Sequence, residues 1–349
     1  MLLVLRFIVK TPMRRACDVC GVREAVVYQP HTKRALCLEC FVEDVVKRVK
    51  REVERWSLIE PGDTVLLALS GGKDGYVLLE TMVRIHKASK LIGLNIIEGI
   101  RDYNKEEDAK FLVETAKQMG VDVIVTSVKD YTGLSVDEMV REARARRTNV
   151  SACTYCGISR RRIMNYYARE LKVDRLATAH NLDDEAQTAV INILRGDFIS
   201  LVRQHPLANI VEDPLLVKRV KPLRKIYEWE TATFAKLRGY HLQETECPYI
   251  YEQPTLRAKV RRALYAFEAE NPGSVLNFLE LLDELLLPYA KTTKPLTGLG
   301  RCKVCGEPVP PGRDLCKLCE LLTGIGLSRP AYASSLKVIR LGAKSWSSA

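Results

Sequence analysis

No segment of this 349-residue chain is apolar for long enough to cross a bilayer. The opening stretch, MLLVLRFIVKTPMRR, is broken by Arg6 and Lys10 and has no small-residue cleavage site, which argues against a secretory leader. Met13, just ahead of the first cysteines, reads as the working start, with 1–12 as an upstream extension. Neither the G-x4-G-K-[ST] phosphate loop nor the G-x-G-x-x-G dinucleotide fingerprint occurs, and the only internal repeat is a pair of cysteine knuckles. Acidic residues are outnumbered, 43 Asp+Glu against 54 Lys+Arg, so the net charge is +11. That excess points to an anionic partner, nucleic acid first, although a basic surface kept for solubility explains it as well. With 47% apolar and 28% charged residues, the balance is that of a globular protein with a large core and satellites. The expected location is cytosolic, where clustered cysteines serve metals or catalysis more often than disulfides.

Eight of the eleven cysteines sort into two sets. Cys17-x2-Cys20 and Cys37-x2-Cys40 are separated by 16 residues, Cys302-x2-Cys305 and Cys316-x2-Cys319 by 10. Paired knuckles of this spacing place four thiolates tetrahedrally around one Zn²⁺, and turn formers accompany both. Four protein ligands close the coordination sphere, so these zincs are structural: staples for small modules, or nucleic-acid knuckles. Cys153, Cys156 and Cys247 remain. Three thiolates suit a zinc with an open position or an iron–sulfur cluster with one free iron; a redox CxxC beside an unrelated buried Cys247 is the competing reading.

Valines at helical spacing over 42–55 predict an amphipathic helix leaving the first knuckle. Short β-favouring runs at 64–70, 90–100, 121–128 and 173–180 alternate with helical patterns at 73–89, 105–120, 135–147, 157–171 and 182–196. The fold class is therefore α/β: a doubly wound, mainly parallel sheet flanked by N- and C-terminal zinc-knuckle modules. Ligands of such sheets bind beyond the carboxyl ends of the strands, where SGGKDG and AHNLDD fall. Past Cys247, two helices are split by Asn271-Pro272-Gly273. The expected division is 14–55, zinc module and helix; 56–255, nucleotide-binding catalytic domain; 256–295, helical segment; 296–330, second zinc module; and 331–349, a tail.

In LALSGGKDG a strand, two glycines and a helix follow one another, so backbone N–H groups and a helix N-terminus can meet an anion. The loop resembles the SGGxDS PP-loop of ATP pyrophosphatases, with Gly75 in place of the final serine. The match extends, in order, through the first four-Cys knuckle, SGGKD, CTYCG followed by RRR, AHNLDDEAQT, RG, ECPY and the second four-Cys knuckle. Over residues 14–326 the chain is similar to the tRNA 2-thiouridine synthetases: the TtuA and NcsA groups and the eukaryotic cytoplasmic tRNA 2-thiolation protein. EGIRDY leans toward the NcsA and cytoplasmic branch, and so toward the wobble uridine over the T-loop one.

The resemblance implies a Rossmann-like PP-loop fold and an enzyme that adenylates a uridine C2 oxygen with ATP, releasing pyrophosphate, before sulfur displaces AMP. It implies that Ala68, Ser70, Gly71, Gly72, Lys73, Asp74, Ile97 and Asp184 hold ATP with Mg²⁺. It further implies that Cys153, Cys156 and Cys247 hold a [4Fe–4S] cluster whose free iron takes the sulfur. The implied catalytic set is Asp184, Arg160, Cys153 and Cys247. Asp183 is the less favoured aspartate; both also suit a helix start, where carboxylates cap the chain. Arg160 stands where some relatives carry Lys, which excludes a titratable amine there. His180, ending a strand at the active edge, reads as catalytic or structural alike. REARARR (141–147) and RRR (160–162) flank the central CxxC as a tRNA phosphate track would. The implied partners are tRNA, a sulfur donor (sulfide or a thiocarboxylated ubiquitin-like protein) and a second copy of the chain, with no membrane. A persulfide route on Cys153 or Cys247 without a cluster, a PP-loop ligase or amidotransferase for a small molecule, and a zinc-knuckle RNA-binding protein with a degenerate loop are the alternatives.

Overall fold

The computed structural model describes residues 15–242, 247–250 and 256–327. The start at Met13 and the tail at 331–349 lie outside them, and among the described residues no helix is long and apolar enough to cross a membrane.

The N-terminal module pairs two short strands antiparallel, β1 (Val27–Gln29) and β2 (Arg34–Leu36), with Val27 opposite Leu36. Helix α1 (Leu38–Arg55) then starts on a metal-type residue: Cys37 is its N-cap and its sulfur accepts the Cys40 N–H. One knuckle thus caps the helix it feeds, and the valines at 45, 49 and 53 form its buried stripe.

The central sheet alternates with helices: β3 (Val65–Ala68), α2 (Lys73–Ile85), β4 (Leu91–Ile97), α3 (Glu106–Gln118), β5 (Asp122–Ser127), α4 (Val128–Thr132), α5 (Val136–Ala145), α6 (Ala152–Glu170), β6 (Arg175–Thr178), α7 (Leu182–Leu194), α8 (Phe198–Val202), β7 (Arg219–Val220) and α9 (Glu228–Leu237). The five strands run in the order β5-β4-β3-β6-β7, all parallel. Strand order reverses beside β3, so the loops after β3 and β6 open at the switch point, where such sheets bind ligands. Side chains alternate across the sheet. Val65, Leu67 and Leu69 face a core shared with α1 and α2, while Leu66, Leu94, Ile96 and Ile124 face one shared with α5, α6 and the second four-Cys module. The two cysteine modules therefore cover opposite faces. At the sheet centre, a Cβ on Gly93 would stand 2.8 Å from Val123 Cγ2, so only glycine fits there.

Two helices, α10 (Leu256–Glu270) and α11 (Ser274–Thr292), pack on α7. A buried ion cluster ties α11 to α1: Arg224, 2% exposed, donates to Glu52 at 2.7 Å and to Asp283 at 2.6 and 2.8 Å. Strands β8 (Gly300–Arg301) and β9 (Pro308–Val309) and helix α12 (Lys317–Gly324), N-capped by Cys316, complete the C-terminal module, and α12 lies on α6.

Two departures from the sequence reading bear on the site. Helix α6 begins at Ala152, not 157, because Ser151 caps it by accepting the Thr154 N–H. The CxxC therefore sits in the first turns of a helix. Strand β7 carries only two residues, too few to leave a pattern, yet it extends the sheet beyond β6.

Candidate active site at the carboxyl edge of the sheet

The loop after β3 is shaped by its glycines. Gly71 has φ +75°, left-handed backbone that favours glycine, and Gly72 is the N-cap of α2 with no side-chain hydrogen bond to that end. The first amides of α2 are left for an anion, with Ser70 and Lys73 beside them. Ala68 ends β3 and Ile97 ends β4, framing the same opening. Lys73 Nζ lies 3.0 Å from Asp74 Oδ2 and 3.2 Å from Glu228 Oε1. Burial works against its charge, but the two carboxylates outweigh burial and raise its pKa. Asp74 Oδ1 accepts from Thr231 Oγ1 at 2.6 Å and from Asn181 Nδ2 at 3.2 Å, joining the loop to α9 and to the start of α7.

Asn181 caps α7 in a reciprocal box: its Oδ1 accepts the Asp184 N–H at 3.1 Å, and Asp184 Oδ2 accepts the Asn181 N–H at 3.3 Å. Asp183, 7% exposed, accepts the Glu228 N–H at 2.7 Å. Both aspartates thus cap helix ends, and both are electrostatically uncomfortable. Burial pushes Asp183 up to about 7, with Glu228 and Asp184 adding to the shift. Desolvation and then the Asp74 charge push Asp184 up to about 6, Arg257 opposing them. Crowded carboxylates of this kind suit a divalent cation, so the donor set fits Mg²⁺.

Glu228 is the hub that the sequence did not single out. Besides Lys73 it accepts from Arg261 at 2.8 Å and from Tyr265 at 2.5 Å, binding α10 to the loop. His180, by contrast, bonds Thr178 Oγ1 at 2.9 Å, and burial lowers its pKa to about 4, which favours the neutral imidazole at pH 7.

Cys153 is exposed and Cys156 partly buried on α6, while Cys247 precedes a short turn, Pro248–Ile250, that packs on α6. Tyr249 holds that turn by donating to Asp137 Oδ1 at 2.8 Å. Cys247 lies within electrostatic reach of both Cys156 and Cys153. Burial pushes Cys156 up to about 12, Arg160 opposing it and Glu98 and Cys247 adding to it. Cys247 is raised by burial and in part by Cys153 and Glu98. Among the described residues, the groups of three or more possible metal ligands whose ligand atoms all lie within 4.8 Å of one another are the two four-Cys sets. Cys156 and Cys247, half-buried thiols that resist ionisation alone, are donors an iron cluster relieves, and with the exposed Cys153 the set fits one.

Arg160 Nε lies 3.4 Å from Glu98 Oε1, a carboxylate 1% exposed that also accepts from Asn104 Nδ2 at 2.5 Å. The guanidinium is thereby fixed against Cys156. Nothing in the residues around Glu98 announced this role. Arg162 belongs elsewhere: it donates to Cys305 Sγ at 3.3 Å and Cys316 Sγ at 3.0 Å and pairs with Glu307. Of the arginine triplet only Arg161 is exposed, so the track read from 160–162 is not continuous. In the 141–147 segment Arg141, Arg144, Arg146 and Arg147 are exposed. The two four-Cys sets, Cys17, Cys20, Cys37 and Cys40 and Cys302, Cys305, Cys316 and Cys319, each form a metal site.

Comparison with known proteins agrees with this arrangement. The PP-loop domain family matches residues 42–264, and the N-terminal LIM domain of 2-thiouridine synthetase TtuA matches 17–42. Cytoplasmic tRNA 2-thiolation protein 1 of Aspergillus niger is 31% identical over 328 residues, 92% of each chain. The tRNA 2-thiolation protein NcsA of Haloferax volcanii is 32% identical, covering 88% of this chain and 98% of its own. The structure of the U34-tRNA thiolase NcsA from Methanococcus maripaludis with its [4Fe-4S] cluster superposes with a TM-score of 0.70 at 28% identity, covering 90% of this chain and 98% of that one. The chain therefore belongs to the PP-loop tRNA 2-thiolation family, with NcsA and cytoplasmic tRNA 2-thiolation protein 1.

Proposed function

We propose that the chain makes 2-thiouridine in tRNA, at the wobble uridine, by adenylating the C2 oxygen with ATP and replacing it with sulfur. One observation carries the reading: the PP-loop after β3, two desolvated aspartates at the start of α7 and two thiols at the start of α6, with Cys247 beside the turn packed on α6, all belong to the carboxyl side of one parallel sheet. Family membership supports the substrate, and likeness to a U34-tRNA thiolase, the M. maripaludis NcsA, supports its position.

The C2 oxygen is a poor leaving group. Its attack on the α-phosphorus of ATP expels pyrophosphate and forms a C2–O–AMP bond; sulfur then attacks C2, and AMP leaves with the oxygen. The amides of Gly71, Gly72 and Lys73, with Ser70, would hold the phosphates between Ala68 and Ile97, while Lys73 turns from its carboxylates to the departing charge. Asp74 and Asp184 would hold Mg²⁺, which supplies charge neutralisation at the phosphates. Cys153, Cys156 and Cys247 would hold a [4Fe–4S] cluster, which supplies a Lewis site for the sulfur. Arg160, fixed by Glu98, would stabilise the adenylate phosphate. Zinc in both four-Cys sites, a homodimer, a cytoplasmic setting, and sulfide or a thiocarboxylated ubiquitin-like donor complete the proposal.

The test is anaerobic incubation of the brown holoprotein with ATP, Mg²⁺, sulfide and unmodified tRNA, followed by mass spectrometry of the digested nucleosides and position mapping. Expected are 2-thiouridine at the wobble position, one pyrophosphate per thiolated base, and loss of both with Cys156→Ser. ATP cleavage that ignores tRNA and leaves every uridine unthiolated would favour a small-molecule ligase and end this reading.

A further inference from the structure

A cavity of about 580 Å³ runs along the β7 edge, between α6 and the stretch after α8. Leu176, Val217 and Val220 supply apolar lining, and six cations line it. Two of these are committed: Lys221 binds Glu185 at 2.6 Å, and Arg224 is locked into the Glu52–Asp283 cluster. Arg161, Arg203, Lys218 and Arg219 have no ion pair among the described residues. Of the two acidic residues in the lining, Asp213 is held by Arg301 at 2.8 Å. From outside the lining Asp63 attracts Lys218 and Glu185, already bound to Lys221, attracts Arg219, so the cations still outnumber the carboxylates facing them. The crowding registers on Arg161, whose pKa is lowered by burial and then by Arg219 and Arg160, whereas Arg219 is lowered by burial with Glu185 opposing it.

Its position matters as much as its charge. Arg161 stands on α6 five residues past Cys156, next to the Arg160 that faces the thiols. His180, at the carboxyl end of β6, feels Lys221, Arg219 and Arg160 together. The cavity thus flanks the candidate active site on the side away from the PP-loop, which already serves the phosphates of ATP across β3.

We infer that this cavity binds the phosphodiester backbone of the RNA substrate beside the reacting nucleotide, with Arg161 and Arg219 as the principal phosphate ligands. Guanidinium forks suit phosphate oxygens, and two arginines held together against their own repulsion are stabilised by an anion between them. The backbone contact fixes register without reading sequence, leaving base selection to the pocket. The inference rests on the proposed tRNA thiolation.

The experiment uses the full-length holoprotein with Arg161→Gln and Arg219→Gln combined, measuring tRNA binding by fluorescence anisotropy over a salt series, alongside thiolation kinetics, iron content and ATP affinity. The expected result is roughly tenfold weaker tRNA binding, a salt slope shallower by about 1.5 to 2, and a raised KM for tRNA at unchanged kcat. Iron content and ATP affinity stay at wild-type values. Should the double variant lose iron or fail to fold, exposed Arg203→Gln carries the same test, with about half the change in slope. Unchanged affinity and slope in variants of a wild type that binds and thiolates tRNA would overturn this inference alone. Loss of ATP affinity with tRNA binding intact would reassign the cavity to a free phosphate compound and overturn it too. A wild type that neither binds nor thiolates tRNA would remove the proposed function and this inference together.

Discussion

Thr231 donates its hydroxyl to Asp74 at 2.6 Å, joining α9 to the PP-loop across 157 residues of sequence. Glu228, three residues earlier, holds Lys73, and Glu230, one residue earlier, is gripped by the N-terminal module. Helix α9 is therefore the strut on which the nucleotide loop is set. A charge-assisted hydrogen bond of this kind contributes about 1.5 kcal/mol or more, so Thr231→Val is expected to raise the KM for ATP roughly tenfold. Iron content should be unchanged. Pyrophosphate release at varied ATP checks it, and an unaltered KM would mean that Asn181 and Lys73 fix Asp74 without Thr231.

The strut has its own anchor. Glu230, fully buried, accepts from Arg48 at 2.5 and 2.9 Å and from Gln29 at 3.0 Å. An unpaired buried charge costs about 3–5 kcal/mol; Arg48 keeps Asp44 at 2.9 Å when Glu230 is neutralised, so the cost here falls below that. Glu230→Gln should lower the melting temperature by several degrees and weaken ATP binding at temperatures where the protein is still folded. Calorimetry with and without ATP separates the two effects.

Asp183 supplies a pH signature. Its folded pKa of about 7 lies above the ordinary 3.8, so the folded chain keeps a proton that the unfolded chain releases. The stabilisation is complete below the unfolded pKa and is lost as pH rises through the folded one. Asp183→Asn keeps an oxygen for the Glu228 N–H and abolishes the titration. Variant minus wild-type stability should grow from near zero at pH 4 to a plateau above pH 7, by up to about 4 kcal/mol. Denaturant titrations in magnesium-free buffer measure it, and a pH-independent difference would contradict the assignment.

Gly75 departs from the serine of the resembling loops, and its surroundings suggest why a glycine serves. A Cβ there would stand 3.3 Å from the Ser70 backbone nitrogen, tight enough that the loop must shift by a few tenths of an ångström. Gly75→Ala gains about 1 kcal/mol of helix propensity, which offsets the crowding, so the melting temperature should hardly move. The displaced loop should nevertheless bind ATP several-fold more weakly. Isothermal titration calorimetry reads the affinity, and tighter binding would show that the loop relaxes without loss.

The alternation of strand and helix, the loops at the switch point and both four-Cys sets were legible because their signals are local: period, glycine placement and spacing. The partners that fix the chemistry were not. Glu98, Glu228 and Thr231 are ordinary residues whose roles arise only when distant elements meet at Arg160, Lys73 and Asp74. The arginine triplet shows the limit most directly. Successive residues on a helix diverge by about 100°, so Arg160 faces the thiols, Arg161 the β7 cavity and Arg162 the C-terminal module.

Arg162 carries the last expectation. It donates to Cys305 and Cys316 while pairing with Glu307, which is 3% exposed and also accepts from Arg169 at 2.9 Å. Four thiolates on a divalent ion leave net negative charge at a half-buried site, and this guanidinium is the cation that offsets it. Outer partners of this kind change metal affinity by about 10–100-fold. With zinc in both four-Cys sites, as proposed, Arg162→Met, which keeps the bulk of the stem, should therefore speed zinc transfer from the C-terminal site to a chromogenic chelator by that order. The N-terminal site should release at its former rate, and the iron content should hold, because Arg162 touches neither. Equal acceleration at both zinc sites would mean a general loosening of the fold. A rate unchanged at both would mean that the sulfurs need no donor, and that Arg162 serves the Glu307 pair alone.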